Sequence, residues 1–131
     1  MTSVCPICDA CPGAHSFKFL GEKLGFGVFY TCPAQASMYN DREGIIEHYT
    51  NALAAWSPRP WVWILDAEGF SLKHAAEVTI AIELSKLIEN RYSANLLKIE
   101  VVNANKFLWT ILECLRPFLS EGTKQKLVIK K

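Results

Sequence analysis

Residues 96–131, LLKIEVVNANKFLWTILECLRPFLSEGTKQKLVIKK, decide how the rest of the chain is read. They spell a buried strand from Lys98 to Asn103, a helix from about Lys106 to Arg116, a turn around Glu121 and Gly122, and a second buried strand from Lys126 to Lys130. Strand, helix and parallel strand make one βαβ unit, whose crossover is right-handed almost without exception. Apolar residues cover most of this helix: Phe107, Leu108, Trp109, Ile111, Leu112, Cys114 and Leu115, continued by Phe118 and Leu119. Only Lys106, Thr110 and Glu113 form a polar stripe. A helix lying on one side of a sheet needs an apolar arc of somewhat over ~100°. The excess predicts a second apolar partner, open to protein, lipid or membrane.

Working back from there, Trp61–Leu65 is apolar without alternation, as a strand of a parallel sheet buried on both faces would be. Asn40 opens a helix: Asn40 and Glu43 have capping-box spacing, and Ile45, Ile46, Tyr49, Ala52, Leu53 and Trp56 recur on one face. Ser57-Pro58-Arg59-Pro60 ends it. Ser71–Asn90 is a second helix, with Ala76, Ile80, Leu84, Leu87 and Ile88 in its stripe. Ser16–Leu20 and Gly27–Thr31 read as two strands of a hairpin or sheet edge. The order predicts an α/β fold, an open and mainly parallel sheet with helices on both faces. A cysteine-rich arm (1–15) precedes a single domain (16–131).

The chain has 131 residues, enough for one core and too few for two. A formal charge of +1, without a basic stripe interleaved with aromatics, argues against nucleic acid as a partner. No apolar run approaches the roughly 18 residues of a membrane span, and the amino terminus does not have the pattern of a signal peptide. Five cysteines, three of them within the first eleven residues, fit a secreted disulfide framework poorly and point to a reducing, cytoplasmic setting.

The arm CPICDACPGAH, Cys5–His15, admits three readings. Cys5, Cys8 and Cys11 at x2 spacing, with His15 or Cys32 as fourth ligand, would hold a structural zinc. The spacing also occurs in iron–sulfur proteins, although histidine stands where their fourth cysteine would be. Cys5-Pro6-Ile7-Cys8 resembles a redox dithiol but lacks the preceding strand that such chemistry uses. Alternatively the arm carries no chemistry, or docks on a partner. Elsewhere, Asp66 at the end of a strand and His74 nearby are the one pair worth weighing for catalysis, against a role for Asp66 in shaping the following turn. No dinucleotide fingerprint, phosphate loop or nucleophile elbow is present, so no catalytic residue is assigned.

At Asn103, Phe107, Trp109, Arg116, Pro117, Phe118, Leu119, Thr123, Lys124 and Lys126, and upstream at Asp66 and Gly69, the chain resembles the CRAL-TRIO lipid-binding domain. That family includes the tocopherol, retinaldehyde and yeast phosphatidylinositol carriers. The resemblance runs from roughly Gly27 to Lys131. It departs at Asn105, where the family has proline, and at Ser93-Ala94 in place of Pro-Glu. It also implies a shortened domain, without the family's amino-terminal helices and its last helix. By resemblance, the helix at about residues 105–119 is a gate over a lipid cavity in a non-catalytic binding or transfer module, with transient contact to a membrane surface. Leu108, Ile111 and Cys114 would form the gate face, and Phe107, Trp109 and Leu115 would share the remaining apolar surface. Arg116, Lys124 and Lys126 would meet a phosphoinositide head group. The alternative is an assembly subunit that keeps the fold without a working pocket, binding a protein partner or a second copy of itself.

Overall fold

The computed structural model describes residues 5–130. In chain order the elements are α1 (Pro6–Ala10), β1 (Lys18–Lys23), β2 (Phe26–Thr31), α2 (Arg42–Trp56), β3 (Trp61–Asp66), α3 (Leu72–Ala75), α4 (Val78–Arg91), β4 (Leu96–Val102), α5 (Lys106–Leu115), α6 (Glu121–Gln125) and β5 (Leu127–Ile129). The five strands form one sheet in the order β1-β2-β3-β4-β5, with β1 antiparallel to β2 and every later pair parallel. This is the open, mainly parallel α/β sheet expected from the sequence.

Strand order and chain order coincide from β2 to β5, so three right-handed crossovers step in one direction and carry α2, α4 and α5 to the same face. Helices on both faces would require the strand order to reverse partway, so the expected two-faced layering takes a one-sided form. The register shows its effect. Phe29, Trp63, Ile99 and Leu127 lie in one row across four strands, beneath the helices. The next row, Tyr30, Ile64, Glu100 and Val128, points the other way and is half-buried to exposed.

The helix boundaries follow local chemistry. Helix α2 starts one residue later than the sequence suggests, because the Asp41 carboxylate, not Asn40, accepts the Gly44 N–H at 3.3 Å. Its inner face carries Ile45, His48, Tyr49, Leu53 and Trp56. Gly27 permits the close approach of that helix, since a Cβ there would stand 2.6 Å from the Trp56 ring. The single helix expected over Ser71–Asn90 is divided at Ala76–Glu77. The β-branched run Val78-Thr79-Ile80, whose side chains lose rotamer freedom against a preceding helical turn, sits at that break.

Candidate functional site

A cavity of about 180 Å3 lies between the sheet and its helical layer. Its floor is Thr31, Trp63, Leu65, Ile99 and Leu127. Ile45 and Tyr49 of α2 close one side, Ile80, Ala81, Leu84 and Ile88 of α4 the next, and Leu108, Ile111, Leu112 and Leu115 of α5 form the roof. Those roof residues recur at i, i+3, i+4 and i+7, the spacing of one helix face.

The buried polar groups in this wall are already engaged. Thr31 Oγ1 lies 2.9 Å from the Tyr49 hydroxyl and accepts the Trp63 indole N–H at 2.9 Å. Burial pushes the Tyr49 phenol well above its ordinary range, so it stays neutral. Among the described residues no buried side-chain nitrogen or oxygen lacks a partner. The cavity therefore offers an occupant almost nothing but hydrocarbon, and a polar guest would lose hydrogen bonds to water without replacing them.

Of the residues expected to touch a ligand, Leu108, Ile111 and Leu115 line the cavity, whereas Phe107, Cys114, Arg116, Lys124 and Lys126 do not. Cys114 is exposed, six positions from Leu108 and turned off the roof face, and Leu112 stands in the roof instead. Trp109, 47% exposed, leads the outward face of α5. Arg116 pairs with Glu113 at 3.7 Å, Lys124 with Glu121 at 3.2 Å, and Lys126 Nζ donates to the Ser93 carbonyl at 2.6 Å. Each of these cations adjoins a lining residue in the chain: Leu115, Thr123 and Leu127, respectively.

Asn105, which departs from the family's proline, is the N-cap of α5. Its Oδ1 accepts the N–H groups of Phe107 and Leu108 at 3.0 and 3.1 Å, and its Nδ2 donates to the carbonyls of Phe70 and Ala67. The roof is thereby pinned to the loop after β3. Asp66 and His74 do not form a pair. Burial of Asp66 tends to raise its pKa, but hydrogen bonds from the Tyr30 hydroxyl (2.6 Å), the Asn103 amide and the Glu68 N–H outweigh this and hold the carboxyl below its ordinary value. His74 Nδ1 accepts the Ser71 N–H at 3.0 Å in the capping box of α3.

A second cluster lies where the arm meets α2. One donor atom from each of Cys5, Cys8, His15 and His48 lies within 4.8 Å of all the others, and the set could hold a metal ion. Cys5 Sγ is 3.4 Å from His15 Nδ1, and Cys8 Sγ is 3.6 Å from His15 Nδ1 and 3.5 Å from His48 Nδ1. Cys11, expected among the ligands, caps the end of α1 and is exposed, outside the group. Cys32 is also outside it, with its thiol 3.5 Å from the Glu68 carbonyl. Burial pushes the Cys8 thiol up and the His48 imidazole down from their ordinary values. His48 is not a candidate from the sequence because it sits alone in a helix, forty residues from Cys8 in the chain. The available signal was a histidine inside the apolar stripe of α2.

A model of the CRAL/TRIO domain family matches residues 37–131, which includes His48 and leaves Cys5, Cys8 and His15 ahead of the match. Among solved structures, one titled "Crystal structure of Sfh5" is similar to this chain, with a TM-score of 0.70 at 11% identity. It is matched over 92% of this chain and 50% of its own, so the chain spans half the length of that neighbour, and at such identity the likeness speaks for the fold alone. No curated protein sequence matches the chain.

Proposed function

Because the chain belongs to the CRAL/TRIO domain family, we propose that it binds a hydrophobic ligand, one chain of a lipid, in the cavity beneath α5 and does not transform it. The observation that carries this reading is a cavity with an overwhelmingly apolar lining, around which, among the described residues, no buried side-chain nitrogen or oxygen is left without a partner. An engineered apolar cavity of about 150 Å3 takes a benzene ring, and pockets for drug-sized ligands measure about 300–1,000 Å3. A void of about 180 Å3 therefore holds a short stretch of hydrocarbon. Anything longer requires the roof to lift.

The gate is the segment at about residues 105–119, hinged at the Asn105 cap. Leu108, Ile111 and Leu115 touch the tail. Trp109 and Cys114 face outward, where a bilayer surface would meet them, while Phe107 is half-buried against the core. Among the described residues no helix is long and apolar enough to cross a membrane. Arg116, Lys124 and Lys126 are the candidates for a phosphate head group, as in a phosphoinositide. Two of these cations are tied only to exposed glutamates, pairs worth about 0–1 kcal/mol, and an anionic leaflet rewards each cation near its surface by about 1 kcal/mol.

The test is to strip the purified full chain of lipid and titrate it with a fluorescent fatty acid, then with vesicles containing phosphatidylinositol. One ligand per chain supports the reading, and no uptake of either probe rejects it. The half-exposed sheet row of Tyr30, Ile64 and Val128 favours a second reading, that of an assembly subunit. For that reading sedimentation would show a stable dimer of the lipid-free chain.

A further inference from the structure

The cavity does not involve the cluster of sulfur and nitrogen atoms beside α1. We propose that Cys5, Cys8, His15 and His48 bind a structural zinc ion that clasps the amino-terminal arm to helix α2.

The distances carry the assignment. With zinc–sulfur bonds of about 2.3 Å and zinc–nitrogen bonds of about 2.0–2.1 Å, tetrahedral angles set each sulfur–nitrogen edge at about 3.5 Å. Three of the four such separations are 3.4, 3.6 and 3.5 Å, and the fourth, Cys5 with His48, lies within the 4.8 Å that spans the whole set. Two thiolates and two imidazoles complete a tetrahedron and leave no open position, which makes the site structural rather than catalytic.

The surroundings orient the ligands. A carbonyl oxygen can only accept, so the 2.8 Å contact of His48 Nε2 with the Phe17 carbonyl puts the ring proton on Nε2 and the lone pair on Nδ1. His15 Nε2 donates in the same way to Asp41 Oδ2 at 2.9 Å. Both metal-facing atoms are therefore Nδ1, each opposite an anchored N–H, which is the outer-shell arrangement that fixes tautomer and ring orientation in zinc sites. The Cys8 backbone N–H donates to Cys5 Sγ at 3.4 Å, a bond that favours the thiolate. The site is enclosed, with Cys5, His15 and His48 all buried.

The clasp would tie helix α1 to α2, adding to the bonds that already hold the end of the arm, from the Ser37 and Met38 N–H groups to the Gly13 and Ala14 carbonyls and from His15 to Asp41. Helix α1 has five residues and buries none of them, so it contributes no core of its own. Asp41 does two things at once: one carboxylate oxygen caps α2 and the other receives His15. His48 precedes Tyr49, whose ring stacks on Phe17 at 3.9 Å and lines the cavity. Zinc would thus fix the wall of the cavity opposite its roof, a role that stands whether or not a lipid binds there.

The experiment uses the untagged full chain, dialysed and measured for zinc and iron by mass spectrometry, with zinc affinity read by chelator competition and the cobalt-substituted form examined for thiolate-to-cobalt absorption. One zinc per chain is expected, retained by Cys11→Ser and lost in Cys8→Ser and His48→Ala. Asp41→Asn keeps the helix cap, because asparagine caps as well as aspartate, yet lowers zinc affinity tenfold or more by weakening the acceptor of His15. Where His48→Ala fails to fold, metal content and cobalt absorption of the unmodified chain decide. Metal-free protein, a Cys5–Cys8 disulfide in its peptide map, iron in place of zinc, or zinc lost with Cys11→Ser would each overturn the proposal.

Discussion

Replacing Ala81 with phenylalanine tests the cavity where it can be filled from one wall. Ala81 lies on α4, half-buried, and lines the void beside the α5 roof. A cavity of about 150 Å3 accommodates benzene, so a phenyl ring at position 81 fills most of the 180 Å3 available. A bound chain occupying that space places about six methylenes in it, each worth about 0.8 kcal/mol on burial. A chain that keeps half of these contacts by sliding toward the mouth loses about 2.5 kcal/mol, about 60-fold in Kd. The fold should tolerate the ring, because it enters an existing void rather than a filled core, where overpacking costs about 1–3 kcal/mol. The assay is fluorescent fatty-acid titration of lipid-free wild type and Ala81→Phe, with thermal melts alongside. A variant that melts at or above the wild-type temperature and still binds with unchanged Kd would refute the assignment of the ligand to this cavity.

Further outcomes are expected at other positions. Ile111→Ala, in the roof and 5% exposed, should cost about 2–5 kcal/mol in urea denaturation through lost burial and an enlarged void. Asn105→Ala removes the cap of α5 and its ties to the loop after β3, and should cost about 1–2 kcal/mol. Trp109→Glu, on the outward face, should change stability by no more than about 0.5 kcal/mol while weakening cosedimentation with lipid vesicles; unchanged cosedimentation removes α5 from the membrane contact. Asp66, whose folded carboxyl lies below its ordinary value of 3.8, contributes stability that is present above that value and lost as pH falls through the folded one. Asp66→Asn should therefore flatten the acid limb of a plot of urea midpoint against pH, and an identical limb would show that its hydrogen bonds carry no net stability.

The sheet was legible because its signals are local. Trp61–Leu65 announces a buried strand by a continuous apolar run, Leu96–Val102 does so by apolar residues broken only at Lys98 and Glu100, and the 106–115 helix announces a crowded environment by the width of its apolar arc. What encloses that arc was not legible. Residues on α2 and α4 share a stripe pattern whether they fill a core or line a void, and only the packing shows that Ala81 and Leu84 leave space. The side on which the helices lie depends on strand order, which no single segment encodes. The cysteine arm was legible as a donor set but not as a complete one. Its last member comes from a helix whose histidine passes for an ordinary interior residue, and spacing along the chain favoured Cys11 over His48. Asn105 was legible as a departure, and its geometry supplies the reason: it caps by side chain the helix that a proline would have started by backbone.

The succession β2-β3-β4-β5, in which each strand lies beside the one before it, has a kinetic side. No strand must be inserted between two that are already joined, so the sheet can grow outward by accretion, each new βαβ unit finding a finished edge to add to. Loop-closure entropy is met in modest instalments rather than in one long-range search. A chain emerging residue by residue could keep pace with its own synthesis, the three-residue β5 joining the edge that β4 presents.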